Sequence, residues 1–298
     1  PLYEKGDIGH AMTLWKTVAY HEHLEVSNDV SVYFMDAGHI LGSSIIEITL
    51  KGINRKIAFT GDLGNSPTPL LRDTEFVTDA DYMVIESVYG DRNHEPKDVR
   101  DSRLEDILRD TLSKGGTVVI PAFSLERTQV ILYAINNLIE SHKIPQVPVF
   151  LDSPLAIKVT QVYRRYVSDF KEKIQEQIAK GDDIFDFPGL RIVRDHMESN
   201  GIHSIKGAKI IIAGSGMSVG GRVLSHEAFY LEDPQATLLL VGYQVPGSLG
   251  RRIEEKSKKL HINGRPVDVR ARIEKISGYS SHKDSNNLVD FVSHAAST

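Results

Sequence analysis

Two hydrophobic patterns divide the chain. In the first, residues 30–34 and 45–50 alternate apolar with polar, and 56–60 and 82–86 are brief apolar runs. No helical spacing occurs between residues 36 and 89, so this part predicts a strand-rich layer, a mixed sheet. Further on the period changes. Runs at 117–120, 147–151, 209–213 and 237–241 are continuously apolar, and each precedes a stretch with helical spacing, at 125–139, 155–166, 222–231 and 249–259. Such strands alternating with helices predict a parallel sheet covered on both faces. Gly115-Gly116, Pro145, Gly207, Asp233-Pro234 and Gly264 supply the turns. A helix is expected over 8–15 and a last strand over 267–276.

Composition narrows the class. A chain of 298 residues buries roughly 75% of its extended surface, enough for two cores. Apolar content of 41% and charged content of 25% suit a soluble globular protein and argue against disorder. No apolar run approaches the roughly 18 residues of a membrane span. The absence of cysteine excludes disulfides, thiolate zinc fingers, iron–sulfur clusters and thiol catalysis, and fits a cytoplasmic chain. Lysine and arginine number 35 against 40 acidic residues, a net charge of −5, so any nucleic-acid role must rest on a local basic patch. The chain starts PLYEKGD, with no signal or transit pattern, and stops at FVSHAAST just after a helical stretch; both ends read as cuts in a longer chain.

Strand ends carry the candidate chemistry. His39 lies in DAGHILGS after strand 30–34, Asp62 in FTGDLG after 56–60, Glu86 in ESVYGDR at the end of 82–86, and His282 in SGYSSHKD after 267–276. One such residue alone is usually a solvated loop. Four together, imidazole and carboxylate without cysteine, fit a hard or borderline metal site with a general acid/base.

These segments, with IPAFSLERTQ, LDSPLA, AGSGMSVGGR and VGYQVPGSLGR in order, resemble the β-CASP branch of the metallo-β-lactamase superfamily, nucleic-acid-processing hydrolases. The resemblance covers nearly the whole chain. It implies that His39 is a zinc ligand, that Asp62 bridges two zinc ions, and that Glu86 orients His282, which protonates the leaving oxygen. Zinc is therefore the implied cofactor. The departures matter too. The family's His-x-His-x-Asp-His segment is absent; His21-Glu22-His23 is followed by Leu24-Glu25 and is expected at the surface. The later motif histidine is also missing, and His294 is expected as a surface residue near a helix end. Two ligands are too few for a dinuclear site, so the chain as written is expected to bind little zinc and to be inactive alone.

Substrate contacts are expected from two further segments. Ser215, Gly216 and Met217, after strand 209–213 and opening a helix, could offer backbone N–H groups to a phosphate. Arg127, beside Phe123 and Ser124, pairs a cation with an aromatic suited to a nucleotide. His226 is expected to pack or cap, and His10, His94, His142, His196, His203 and His261 to lie at the surface. The run Arg251, Arg252, Lys256, Lys258, Lys259 reads as a solvated helix face.

The fold expected is α/β: a partial metallo-β-lactamase αββα sandwich over residues 1–97, an inserted β-CASP domain over 98–278 with a parallel sheet flanked by helices, and a return to the sandwich over 279–298. The function implied for the intact protein is zinc-dependent hydrolysis of RNA, single-stranded in form, with a homodimer left open. The alternatives are a non-catalytic RNA-binding or scaffold member of the family, and a hydrolase of small thioesters or lactams. The four retained residues disfavour the first and the large inserted domain the second.

Overall fold

A computed structural model describes residues 2–296. Helix α1 (Lys5–Thr13) is exposed throughout and ends two residues earlier than the expected 8–15 stretch. Strands β1 (His23–Ser27), β2 (Val30–Asp36), β3 (Ser44–Leu50), β4 (Arg55–Phe59) and β5 (Tyr82–Val84) form one sheet in chain order. Its first three pairings are antiparallel and β4–β5 is parallel, a mixed sheet. Met35, Ala37, Ile45, Ala58 and Leu63 are buried on one face. Residues of opposite phase on β1, β4 and β5 stay open to solvent: Leu24 is 41% exposed, Phe59 40%, Tyr82 61% and Val84 54%.

Helix α2 (Lys97–Ser113) leads into the second layer, β6 (Thr117–Pro121), α3 (Arg127–Glu140), β7 (Val149–Asp152), α4 (Pro154–Arg165), α5 (Glu172–Ala179), β8 (Leu190–Ile192) and α6 (His196–Gly201). The chain continues through β9 (Lys209–Ala213), α7 (Val223–Tyr230), β10 (Thr237–Leu240), α8 (Leu249–Glu254), β11 (Lys259–Ile262), β12 (Arg265–Asp268) and β13 (Arg272–Lys275). Six strands pair in parallel in the order β13-β10-β6-β9-β7-β8. Alternate residues face opposite sides, which is why the apolar runs are continuous. Val118, Ile120, Ile210 and Ile212 pack with Leu104 and Leu108 of α2 and Ile131 and Ile135 of α3. Val119, Ile211, Leu238 and Leu240 pack with Val223 of α7 and Ile253 of α8. Helix α9 (Ser285–Ala296) then returns, placing Leu288 and Phe291 in the core of the first sheet.

Two expectations need correction. The 249–259 helix stops at Glu254, because Lys256 takes a left-handed φ of 57° and Lys259 opens β11. The basic run is therefore not one helix face. The expected strand 267–276 is two strands in different sheets: β12 closes a hairpin with β11, and β13 forms the edge of the parallel sheet.

Candidate metal centre and active site

Three loops at strand ends hold the candidate residues. Between β2 and β3, Ser43 Oγ accepts the N–H groups of His39 (3.0 Å) and Ile40 (3.2 Å), curling the loop. Gly38 has φ +62°, and a Cβ there would sit 2.7 Å from Thr74 N, so only glycine fits. His39 is 9% exposed. Its Nδ1–H donates to the Ser281 carbonyl at 3.2 Å, which leaves Nε2 as the unprotonated nitrogen. Burial, then the neighbouring His282, lowers its pKa, favouring the neutral imidazole that a metal needs.

The second loop carries Asp62 beyond β4. Asp62 Oδ2 lies 3.8 Å from His39 Nε2, and its side chain is 58% exposed. Gly64 N donates to Ala37 O at 2.8 Å, fastening this loop to the His39 loop. In the third, Glu86 follows β5 and is nearly buried; its Oε1 accepts Leu63 N at 2.5 Å. Its carboxylate also accepts from His282 Nδ1, at 3.1 and 3.3 Å. The His282 ring centroid is 4.4 Å from that of His39.

Ligand atoms of His39, Asp62 and His282 all lie within 4.8 Å of one another. Two imidazoles and a carboxylate suit a borderline cation such as zinc, and a small inward movement would bring all three to bonding distance of one ion.

His94 was expected to stand alone at the surface, and the structure corrects this. It is half-buried; its Nε2–H donates to the His282 carbonyl at 3.0 Å and its N–H to Asp284 Oδ2 at 3.1 Å. Its ring packs edge-on against Tyr89, centroids 4.4 Å apart. Burial lowers its pKa, so it stays neutral and can hold that donor nitrogen. His21 and His294 are exposed, as expected; His21 pairs with Glu75 at 2.8 Å and His294 stacks on Phe76.

The remaining candidates sit at the carboxyl edge of the parallel sheet, where α/β folds bind ligands. Phe123 is 40% exposed. It lies against Gly216, where a Cβ would stand 2.8 Å from the ring, and 3.9 Å from a Cβ at Gly242. Tyr243 next to Gly242 lies 6.2 Å from Tyr89, which is 6.2 Å from His282, a run of ring contacts linking this edge to the candidate site. Ser124 Oγ and Ser153 Oγ are 3.1 Å apart. Arg127 lies elsewhere than expected: it is 7% exposed and its guanidinium donates inward to Val241 O. Ten of the fourteen residues of α3 are buried, which leaves its first turn no solvent face. The 214–217 segment does not open α7, which begins at Val223. Ser215 N is already bonded to Gly220 O at 3.1 Å, and Gly216 is buried. Met217 is partly exposed, and its carbonyl accepts Gly250 N at 3.3 Å.

His226 is fully buried, with Nε2 2.7 Å from Asp152 Oδ2 and Nδ1 3.0 Å from His203 Nε2. Arg222 Nη1 donates to the other Asp152 oxygen at 2.6 Å. His203, also expected at the surface, is half-buried and stacks on Phe229. Among the described residues no helix is long and apolar enough to cross a membrane.

A model of the β-CASP domain matches residues 128–253. A ribonuclease of Thermus thermophilus is 35% identical over 292 residues, spanning 98% of this chain and 67% of that protein. An RNase J-like protein of Methanocaldococcus jannaschii is 35% identical over 298 residues, 97% of this chain and 67% of its own. Subunit 3-I of the cleavage and polyadenylation specificity factor of Arabidopsis thaliana is 28% identical over 288 residues, and the chain spans 40% of its length. With two sheets, convergent strand-end loops and relatives matched along nearly its whole length, the chain belongs to the β-CASP family of metallo-β-lactamase-type proteins.

Proposed function

We propose that this protein cleaves phosphodiester bonds of RNA with a bound metal, zinc in the first instance, and that single-stranded RNA enters the cleft between its two sheets. The observation that carries this reading is the convergence of His39, Asp62, Glu86 and His282 from four separate strand ends. The names of its relatives, ribonucleases of bacteria and archaea and a eukaryotic cleavage factor, point the same way. A scaffold without catalysis would need no such convergence.

His39 through Nε2 and Asp62 through its exposed carboxylate would hold the metal. Bound there, zinc supplies a Lewis acid for the scissile phosphate. Glu86 fixes Nδ1–H of His282 and leaves Nε2 to carry the proton to the leaving oxygen. With His282 kept for the proton, His39 and Asp62 are two donors, so this chain is expected to hold zinc weakly and the full-length protein to supply the remaining ligands. The apolar face with Phe59, Tyr82 and Val84 offers the seat for the second sheet of a sandwich. A cytoplasmic site of action suits a chain free of cysteine.

The test combines elemental analysis with cleavage of end-labelled single-stranded RNA by the full-length gene product. Cleavage should vanish on chelation and return with zinc, and His39→Ala should lose the metal. Chelation without effect on cleavage would sink the proposal.

A further inference from the structure

We propose that the outward face of α4 is a track for single-stranded RNA, running between the Ser124 edge of the parallel sheet and the loop that carries His39. The inference rests on the reading that RNA is the substrate and adds where the strand runs. The sequence of α4 is PLAIKVTQVYRR, with three basic residues and no acidic one, in a chain of net charge −5. Leu155, Lys158, Val162 and Arg165 fall on one stripe, within about 80° of arc at 3.6 residues per turn. Tyr166, just past the helix, continues it. Leu155 is 61% exposed, Val162 42% and Tyr166 52%. Lys158 and Arg165 are exposed too, and neither has an ion-pair partner among the described residues. Arg164 lies off the stripe and pairs with Asp183 at 3.2 Å. The opposite face, Ala156, Thr160 and Tyr163, is buried.

The position of the helix gives the stripe its direction. Ser153 caps its start, accepting Ala156 N at 3.3 Å, and lies 3.1 Å from Ser124 at the cleft edge. In its last turn, on the buried side, the Tyr163 hydroxyl accepts Leu41 N at 3.3 Å in the His39 loop. The helix thus spans from Ser124 at its start to the His39 loop near its end, with the stripe on its outward side.

Its chemistry selects the partner. Lys158 and Arg165 stand two turns apart, roughly 10 Å along the axis, with apolar and aromatic groups between and beyond them. A strand that alternates phosphates with flat bases satisfies both kinds of group: cations track the backbone while exposed rings stack on bases. In an acidic protein such a stripe is the local basic patch that a nucleic-acid role requires.

Fluorescence anisotropy with a labelled U-rich RNA of about 20 nucleotides tests this, in chelator so that cleavage does not enter. Lys158→Glu/Arg165→Glu should weaken binding at least about tenfold and lower the log–log salt slope by about 1.4, at about 0.7 per phosphate contact in single strands. Tyr166→Ala should weaken it about tenfold with the slope unchanged. Lys158→Arg/Arg165→Lys should bind as wild type, which separates charge from folding. Lys206→Glu/Lys258→Glu changes net charge equally at exposed sites elsewhere and should cost less than about twofold. Equal losses in the two charge-reversal variants would overturn the track in favour of a general field. No loss in either would overturn it in favour of another occupant, such as a protein partner. Stripe-dependent binding by a protein that cleaves no RNA would instead sink the catalytic reading alone.

Discussion

Glu86 grips His282 by Nδ1, at 3.1 Å, although 196 residues and the whole parallel-sheet layer separate them in sequence. The same carboxylate accepts the amide of Leu63, directly after Asp62. One buried side chain thereby sets the angle of the His282 ring and ties it to the loop of a candidate metal ligand. Glu86→Gln keeps the shape but removes the charge. In the full-length gene product it should lower kcat for RNA cleavage by about 10²- to 10⁴-fold, the range of a positioned general acid. RNA affinity in chelator should be unchanged. A fall in affinity with kcat intact would assign Glu86 to binding.

The sequence makes part of this legible and hides the rest for physical reasons. His39, Asp62, Glu86 and His282 each follow an apolar strand beside Gly or Ser, a local signature, so each could be named individually. That His282 stands within ligand distance of His39 and Asp62 is a tertiary fact, produced by the return of the chain through α9. Arg127 misleads because the cation lies at the start of a helix that is buried on almost every side. His94 and His203 have no local pattern; their partners are His282 and His226, far along the chain. The parallel strands are easy to read because both faces are covered, whereas β11 and β12 hide in a stretch whose Leu249–Ile253 spacing suggests one longer helix.

Gly64 is where the His39 and Asp62 loops touch. A Cβ there would stand 2.0 Å from Gly38 O and 2.9 Å from His39 N, both backbone, so alanine must push the loops apart. Gly64→Ala should lower zinc affinity by at least about tenfold and destabilise the protein by about 2–4 kcal/mol. Gly61→Ala meets nothing closer than Ser44 O at 3.5 Å and suffers only its φ of +53°, a cost of about 1 kcal/mol. Isothermal titration and urea melts compare them; equal losses would show that strain, not loop separation, governs the site.

Asp152 is a buried carboxylate shared by Arg222, His226 and Ser199. Burial opposes its ionisation, but the His226, Ser199 and Arg222 hydrogen bonds win and hold its pKa below the usual range. Asp152→Ala leaves a guanidinium and an imidazole without their acceptor, and should cost about 3–5 kcal/mol in urea denaturation. His226→Ala removes one partner only and should cost less. A loss under about 1 kcal/mol for Asp152→Ala would mean that water replaces the carboxylate.

Glu227, on α7, has no exposed surface; one oxygen accepts the Ser218 hydroxyl and the other has no partner. Burial raises its pKa from 4.5 to about 8, with the Ser218 bond opposing the shift. Glu126, bonded to Tyr163, is likewise raised by burial, to about 7. Between pH 4.5 and these values the folded protein keeps protons that the unfolded chain has released, so stability falls as pH rises. The slope contributed by each group is at most about 1.4 kcal/mol per pH unit. Glu126 is half-titrated at pH 7 and Lys97, lowered by burial to about 8, titrates in the same range, so the difference between variant and wild type, not the profile itself, reports Glu227. Glu227→Gln cannot ionise, keeps an oxygen for Ser218, and should flatten the stability profile relative to wild type while melting higher than wild type at pH 8. Denaturant midpoints across pH 5–8 measure it; parallel profiles for variant and wild type would mean that Glu227 is already ionised in the fold.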